Sequence, residues 1–156
     1  MARKIVILEN IRSAYNVGNV IRTADSLWWE VWLTGYTPSP LDNPKVKKTS
    51  LWAEENVGLR QFDYTEDVIE ECKKLHISYI AAEITSTATS LVDFSVDFSV
   101  DFSWDIAIIF WNEVEWVLPQ TLQNVEKVVY IPMQWIKESM NIWQSTAIFM
   151  WELRNK

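Results

Sequence analysis

Cysteine, histidine and glycine are scarce in this sequence, which has one, one and three of them among 156 residues. A single cysteine, Cys72, excludes an internal disulfide. The only histidine, His76, would lie one helical turn from Cys72, but a zinc site takes three or four protein ligands. Two ligands are too few, so we predict a protein that binds no metal.

Long apolar runs are also missing. The sequence has no stretch of 18 or more apolar residues, so it offers no candidate transmembrane helix. Met1–Lys4 leads directly into a short apolar strand instead of the hydrophobic region of a signal peptide. These absences predict a soluble, cytoplasmic protein with no membrane partner.

The hydrophobic residues that are present make up 49% of the chain, enough for the core of a single domain spanning residues 1–156. Short β-favouring runs alternate with helical patterns, which predicts a three-layer α/β domain with a mainly parallel sheet. Its ligand site would lie beyond the carboxyl ends of the strands. The predicted strands are Lys4–Leu8, Val31–Thr34, Tyr79–Ala82, Ile106–Phe110 and Lys127–Ile131.

Helical patterns fill the intervals between these strands. Apolar residues from Val17 to Leu27 fall on one helical face, and Asn16 is a plausible N-cap for that helix. Further helices are predicted near Val46–Glu55, at Thr65–Leu75 with Thr65 as the cap, and at the end of the chain from about Ser139 to Leu153.

Charge is distributed unevenly along the chain. The net charge is −7, but residues 1–60 carry eight Lys and Arg against six Asp and Glu, whereas residues 61–156 carry six against fifteen. Phosphate contacts need local positive charge, so a surface that faces nucleic acid is expected to draw on the first part. Its cations are Arg3, Lys4, Arg12, Arg22, Lys45, Lys47, Lys48 and Arg60. The alternative is an ordinary solvated face.

The segment Val92–Ser103 contains Val-Asp-Phe-Ser three times. In an extended chain Val and Phe would lie on one side and Asp and Ser on the other, which predicts a strand or edge ribbon. Calcium binding by Asp93, Asp97 and Asp101 is disfavoured, because the glycines of calcium-binding β-repeats are missing.

Polar residues concentrate in three segments where a strand passes into a helix. The first runs from Asn16 to Asp25, the second from Ile108 to Pro119, and the third from Ile131 to Ile142. Gly18 in the first permits a close backbone approach, and the Arg22 guanidinium can hold a phosphate with two hydrogen bonds. Each segment alone is also explained as a strand end followed by a capped helix.

Together the three segments resemble the SpoU family of the SPOUT methyltransferases over nearly the whole chain. The first family motif is matched by Asn16, Gly18, Arg22, Thr23 and Ala24; the second by Phe110, Asn112 and Glu113; and the third by Ile131, Pro132, Met133, Glu138, Ser139 and Asn141. Three motifs in the family's order and spacing are a specific signal.

The resemblance implies a deep trefoil knot near the C-terminus, a homodimer whose two subunits complete each active site, and S-adenosylmethionine as the cofactor. The implied reaction transfers a methyl group to a ribose 2′-hydroxyl of tRNA or rRNA. Arg22 would be the key catalytic residue, with Asn16, Glu113, Ser139 and Asn141 shaping the site. The implied cofactor contacts are Glu83, Phe110, Trp111, Asn112, Trp116, Ile131, Met133, Ser139 and Asn141.

The positions of the tryptophans depart from the family pattern. Six of the ten tryptophans stand where family members commonly have glycine, and they are Trp28, Trp52, Trp111, Trp116, Trp135 and Trp143. Indoles at 111, 116 and 135 would occupy space intended for the cofactor. The chain is therefore a degenerate homologue, an engineered protein, or the product of a gene whose UGA codons encode glycine and were read as tryptophan. We favour the third hypothesis, because the substitutions fall so selectively on glycine positions.

Two other functions stay open on the sequence alone. If the indoles are real, the chain is a catalytically silent RNA-binding or scaffold homologue. A nucleotide-binding α/β protein is less well supported, because the sequence has no glycine-rich phosphate loop.

Overall fold

The computed structural model describes residues 1–95, 105–111, 119–134 and 140–155. Its strands are β1 (Lys4–Glu9), β2 (Glu30–Thr34), β3 (Leu59–Phe62), β4 (Ser78–Ala82), β5 (Thr89–Ser90), β6 (Ile106–Trp111) and β7 (Lys127–Tyr130). They form one seven-stranded sheet in the order β3-β2-β1-β6-β4-β7-β5. Each of its neighbouring strand pairs is parallel.

Helices cover both faces of this sheet. They are α1 (Ala14–Leu27), α2 (Pro44–Ser50), α3 (Thr65–Lys74), α4 (residues 91–95), α5 (Pro119–Asn124) and α6 (Ile142–Leu153), with a 3₁₀ turn at Ala53–Glu55. α1, α2 and α6 share one apolar cluster with Val6 and Leu8. α3 shares the other with Ile5 and Ile7. The three-layer parallel α/β fold expected from the sequence is confirmed.

β1 lies at the centre of the core, between β2 and β6. All six of its residues are buried, and its apolar run from Ile5 to Leu8 contributes side chains to both faces. A parallel strand covered by helices on both sides needs such a continuous run instead of an alternating one. Burying each aliphatic side chain stabilises the fold by about 1.5–3 kcal/mol.

Gly18 permits close packing of α1 against α2. A Cβ atom at Gly18 would lie 2.0 Å from Thr49 Oγ1 and 2.3 Å from the Val46 carbonyl oxygen. Thr49 Oγ1 also donates a hydrogen bond to the Tyr15 carbonyl across the same contact. The partner that approaches Gly18 is therefore another helix of the same chain.

Helix caps differ from expectation at two of three positions. Ser13, not Asn16, caps α1, and its Oγ accepts from the Asn16 backbone N–H at 3.2 Å. Thr65 is the first residue of α3 and Tyr64 its N-cap, so the Thr65 hydroxyl is available for another partner. Asn141, which like Ser139 is a residue type that favours helix N-caps, caps α6 by accepting from the Trp143 N–H at 3.1 Å. α6 begins at Ile142, later than predicted.

The Val-Asp-Phe-Ser repeat begins as a helix. Residues 91–95 are helical, so the prediction of an extended ribbon is wrong for Val92–Ser95. Phe94 is buried in the α1 and α6 cluster, and Ser95 Oγ donates to Glu152 of α6 at 2.6 Å. These contacts favour a helix over a strand. The rest of the repeat, with Asp97 and Asp101, lies outside the described residues.

Two of the six anomalous tryptophans have a backbone conformation that favours glycine. Trp28 ends α1 with φ +61°, and Trp52 precedes the 3₁₀ turn with φ +73°. Their side chains are 83% and 69% exposed, so packing does not compensate for the strain. Trp111 lies in β6 and Trp143 in α6, both regular elements. Trp116 and Trp135 lie outside the described residues.

The predicted trefoil knot depends on segments that include 112–118 and 135–139, which also lie outside the described residues, so it stays a prediction. No described helix is both long and apolar enough to cross a membrane.

We expect Trp28→Gly and Trp52→Gly each to raise the free energy of unfolding by about 0.5–1 kcal/mol, because a left-handed conformation costs an L-residue roughly 1–2 kcal/mol and glycine almost nothing. Urea unfolding measures the change. Trp151→Gly is the matched control, since Trp151 is also exposed but lies within α6. There glycine should lower stability by about 0.5–1 kcal/mol. Effects of the same sign at all three positions would refute the conformational explanation.

Candidate active site at the carboxyl edge of the sheet

The described site residues predicted from the sequence gather mainly at one edge of the sheet. Four neighbouring strands, β1, β6, β4 and β7, end there, because all of them are parallel. α1 follows β1, Phe110 and Trp111 end β6, Glu83 follows β4, and Ile131 follows β7. This is the edge at which open parallel sheets bind ligands.

The two candidates on α1 do not point the same way. Asn16 lies in the first turn, close to the carboxyl edge, and is half-buried. Arg22 lies six residues later, about 9 Å further along the helix and about 120° around it. Its side chain is exposed. Arg22 is therefore presented on the outer surface of α1, apart from the residues at the strand ends.

Phe110 and Trp111 project to opposite faces at the end of β6. Phe110 is buried against Phe149 of α6, with ring centroids 5.3 Å apart and planes at 87°. Such an edge-to-face contact fixes the ring firmly. Trp111 is half-buried against the α3 cluster and stands beside Glu9 in the strand register. In the described residues, the Trp111 indole therefore packs on the α3 side of the sheet.

Glu83 lies where β4 meets β7. Its backbone N–H donates to the Val129 carbonyl at 3.0 Å, and its Oε1 accepts from the Ile84 N–H at 2.7 Å. Burial raises the pKa of the Glu83 carboxyl, and the hydrogen bond from Ile84 opposes that shift. Ile131 and Met133, which follow β7, are half-buried beyond the adjacent strand.

Asn141 is half-buried at the start of α6, and its side-chain oxygen is engaged in capping that helix. The remaining predicted site residues lie outside the described part of the chain. They are Asn112, Glu113, Trp116 and Ser139.

Arg3, Lys4 and Arg60, which were expected to face nucleic acid, are held by other groups of this chain. Arg3 pairs with Glu30 at 2.8 Å. Lys4 is buried, which lowers the pKa of its amine, and it donates to the carbonyls of Leu153 and Arg154 at the end of α6. A nucleic-acid surface built on Arg3 or Lys4 is therefore wrong.

Arg60 is the third. It pairs with Glu71 at 2.9 Å, and its guanidinium lies over the rings of Trp32 and Phe62, 4.7 and 4.9 Å from their centroids. The side chains of Arg22, Lys45, Lys47 and Lys48 are exposed, and so is that of Arg12, which also interacts with another group of the chain. The packing at Gly18 holds the helix with the three lysines against the helix with Arg22.

Glu9, the last residue of β1, was not predicted from the sequence as a site residue. It is only 3% exposed, and its Oε1 accepts from Thr65 Oγ1 at 2.6 Å and from Thr121 Oγ1 at 3.3 Å. Its Oε2 is buried without a hydrogen-bond partner among the described residues. Burial raises the pKa of this carboxyl, the two hydroxyls oppose the shift, and Glu66 adds to it. The signal that was available in the sequence is a glutamate at the end of the apolar run of a buried strand, where an ionisable side chain is unexpected.

The Cys72 thiol shows no sign of a chemical role. It is buried under α3, and burial raises its pKa to about 12, so the reactive thiolate is disfavoured. Within the described ranges, no group of three or more His, Cys, Asp or Glu residues is placed to hold a metal ion.

A parallel α/β sheet with predicted site residues at the ends of four adjacent strands is typical of a ligand-binding α/β domain. The family follows from sequence comparison. Residues 3–151 match the SpoU rRNA Methylase family, so the chain belongs to that family. Among curated proteins no match was found.

Solved structures of SpoU proteins share this fold. AviRb from Streptomyces viridochromogenes, a SpoU methyltransferase solved with AdoMet, aligns at TM-score 0.85 and 18% identity over 98% of this chain and 57% of AviRb. A. aeolicus TrmH/SpoU tRNA modifying enzyme aligns at 0.81 and 18% over 99% and 75%. A protein solved to explain 2-OH methylation of C/U34 on tRNA aligns at 0.82 and 22% over 97% and 94%. The chain thus spans less than two thirds of AviRb.

Glu9 leads to a prediction about pH. Because its folded-state pKa is raised, its contribution to stability is fully present below the unfolded pKa of about 4.3 and is lost as pH rises through the folded pKa. Glu9→Gln cannot ionise, so we expect it to be more stable than the parent at neutral pH and to lose that advantage near pH 4. Urea unfolding across pH measures this. Glu70→Gln, at an exposed carboxyl of α3, is the control. A constant difference at every pH would contradict the prediction.

Proposed function

We propose that this protein is an S-adenosylmethionine-dependent RNA methyltransferase that modifies a ribose 2′-hydroxyl of tRNA or rRNA. The observation that carries the proposal is the convergence of residues from the three family motifs, with Glu83, at the carboxyl ends of four adjacent strands. Family membership and the solved relatives that bind AdoMet or act on tRNA support it.

The residues at this edge fit the chemistry of S-adenosylmethionine. The Glu83 carboxylate can accept hydrogen bonds from ribose hydroxyls, and the irregular backbone at Ile131 and Met133 can meet the polar edge of an adenine. Phe110, packed against Phe149, supports this edge from within the buried core. When bound, the cofactor supplies an electrophilic methyl group. The family motifs assign Asn112, Trp116 and Ser139 to the same task.

Arg22 is proposed to act on the RNA. Its guanidinium would hold a phosphate next to the target nucleotide, which orients the 2′-hydroxyl and favours loss of its proton. Asn16, Glu113, Ser139 and Asn141 would shape the site around that hydroxyl. Lys45, Lys47 and Lys48 of the neighbouring α2 would contact further phosphates and steer the RNA towards Arg22.

A homodimer is proposed for two reasons. Arg22 points away from the strand ends of its own subunit, so a partner's strand ends could complete its site. In addition, Ile148 and Trp151 expose apolar surface along α6, which packs beside α1. Exposed apolar surface of this kind is typical of protein interfaces. Cytoplasmic location and independence of metal ions stay predictions.

The alternative is a catalytically silent RNA-binding or scaffold homologue. It requires the indoles at 111, 116 and 135 to be real. The left-handed backbone at Trp28 and Trp52 instead favours glycine at these two positions, in agreement with UGA codons read as tryptophan. Codons in the source gene decide the question: UGG at positions 28, 111 and 135 would rule out recoding.

In a chain that carries glycine at 111, 116 and 135, we expect Arg22→Ala to lower the rate of methyl transfer to RNA by about 100-fold or more, because positioning and proton removal are both impaired. Affinity for S-adenosylmethionine should not change. Transfer of a radiolabelled methyl group measures the rate, and calorimetry measures the affinity. Lys73→Ala, which removes an exposed cation from α3, is the control and should leave the rate unchanged. An Arg22→Ala protein with full activity would remove this residue from the mechanism.

Calorimetry with S-adenosylmethionine separates the two functions. We expect binding heat for a chain with glycine at 111, 116 and 135, and none for the sequence as printed, since indoles would block the cofactor loops. The matched control carries glycine only at 28 and 52, which relieves backbone strain without opening those loops. If the chain with glycine at 111, 116 and 135 also shows no heat, the silent homologue is the better description.

A further inference from the structure

Three exposed tyrosines lie at the carboxyl edge of the sheet. Tyr15 is in the first turn of α1, which follows β1, whereas Tyr36 and Tyr64 each come two residues after the end of a strand, β2 and β3. Their exposed fractions are 49%, 53% and 68%. The other two tyrosines, Tyr79 and Tyr130, lie within β4 and β7 and are buried and half-buried. About half or more of each edge tyrosine is therefore accessible to a partner.

Tyr15 and Arg22 share one face of α1. They are seven residues apart, which is two helical turns and about 10 Å along the axis. Both side chains are exposed, whereas Gly18 and Ile21 between them are buried. Thr49 of α2 donates a hydrogen bond to the Tyr15 carbonyl at 3.0 Å, so Tyr15 also lies beside the helix that carries the three exposed lysines. An aromatic ring is thus placed near the guanidinium that is proposed to hold a phosphate.

The backbone at Tyr36 is fixed to the loop that follows β1. The Tyr36 N–H donates to Asn10 Oδ1 at 3.3 Å, and in the next residue Thr37 Oγ1 accepts from the Ile11 N–H at 3.0 Å. Gly35 keeps this turn tight, because its φ is +65° and a Cβ atom there would lie 1.9 Å from Asn10 Oδ1. The loop after β1 leads directly into α1. Tyr36 is therefore held on a rigid turn close to the start of α1, and a ligand that binds there orders little backbone.

Charge distinguishes the three tyrosines. Neither Tyr15 nor Tyr36 has a carboxylate within three residues of it in the sequence, and Tyr15 lies beside the lysines of α2. Phosphates are attracted to such a neighbourhood. Tyr64 has three exposed carboxylates within three residues of it, which repel phosphates, and these are Asp63, Glu66 and Asp67. Tyr15 and Tyr36 therefore suit a nucleic acid, whereas Tyr64 does not.

We propose that Tyr15 and Tyr36 stack on unpaired bases of the RNA, so that the substrate presents a single-stranded loop, and not a duplex, to the surface formed by α1 and α2. This inference rests on the proposed function, which supplies RNA as the partner and places a phosphate on Arg22. Bases inside a duplex are covered by their neighbours, whereas those of a loop can stack on an aromatic ring. The cations of α1 and α2 hold the backbone of any RNA. The two tyrosines select the kind of RNA.

Binding of two RNA probes tests this inference without any methyl transfer. The probes are a single strand of about 12 nucleotides that does not pair with itself, and the duplex that it forms with its complement. The parent chain carries Trp28→Gly and Trp52→Gly, because exposed indoles also stack on bases. Tyr15→Ala and Tyr36→Ala should each weaken binding of the single strand about five- to 100-fold, and should change binding of the duplex by less than about twofold. Fluorescence anisotropy measures both affinities.

Three controls separate stacking from other effects. Tyr15→Phe and Tyr36→Phe keep the ring and should bind the single strand like the parent. Tyr64→Ala removes the most exposed of the three tyrosines and should leave the affinity unchanged. The third control is salt dependence: the alanine variants at 15 and 36 should keep the parent's slope of log affinity against log salt, whereas Arg22→Ala removes one phosphate contact and should reduce that slope by about 0.7.

The outcomes distinguish this inference from the proposed function. Unchanged single-strand affinity in either alanine variant, or an equal loss for strand and duplex, overturns it, and so does a parent that binds no RNA. If the variants lose affinity as expected but no version of the chain transfers a methyl group, the proposed function fails and the stacking surface belongs to a silent RNA-binding homologue. If methyl transfer is observed and both alanine variants bind like the parent, the proposed function stands and only the role of the tyrosines is refuted.

Discussion

The parallel pairing of β1 with β6 is the contact on which the arrangement of the site depends. It joins residues 4–9 to residues 106–111 across about a hundred positions of sequence, in a register that places Glu9 beside Trp111. Parallel strands end at the same edge, so this pairing brings the start of α1 next to Phe110 and Trp111. The other strands extend the same edge on both sides. Without the pairing of β1 with β6, the first and second family motifs would have no fixed position relative to each other.

Much of the fold was accessible from the sequence because its central strands are continuous apolar runs. β1, β2, β4, β6 and β7 were each anticipated to within a residue or so at their ends. β3 and β5 were not, because β3 is incompletely buried and β5 has only two residues, which leaves little apolar signal. The helix at 91–95 was mistaken for a strand, since alternation within a four-residue repeat does not reveal the buried contact of Phe94 with the core.

The candidate site was predictable where residue type and local order were sufficient. Phe110 and Asn141 follow from motifs that span a strand end or a helix cap. The hydrogen bonds of Glu9 could not be predicted this way, because its partners, Thr65 and Thr121, become neighbours only through the folded sheet. The partners of the cations could not be predicted for the same reason. Only the tertiary structure shows that Arg3 and Arg60 form ion pairs with carboxylates.

The buried amine of Lys4 connects the two ends of the chain. Its hydrogen bonds to the carbonyls of Leu153 and Arg154 hold the first strand to the end of the last helix. The two termini are consequently neighbours, and both lie at the end of β1 opposite Glu9. Any polypeptide joined to either terminus would leave the domain on the side away from the carboxyl edge. This geometry leaves room for additional modules, or for a circularly permuted chain, without obstructing access to the strand ends.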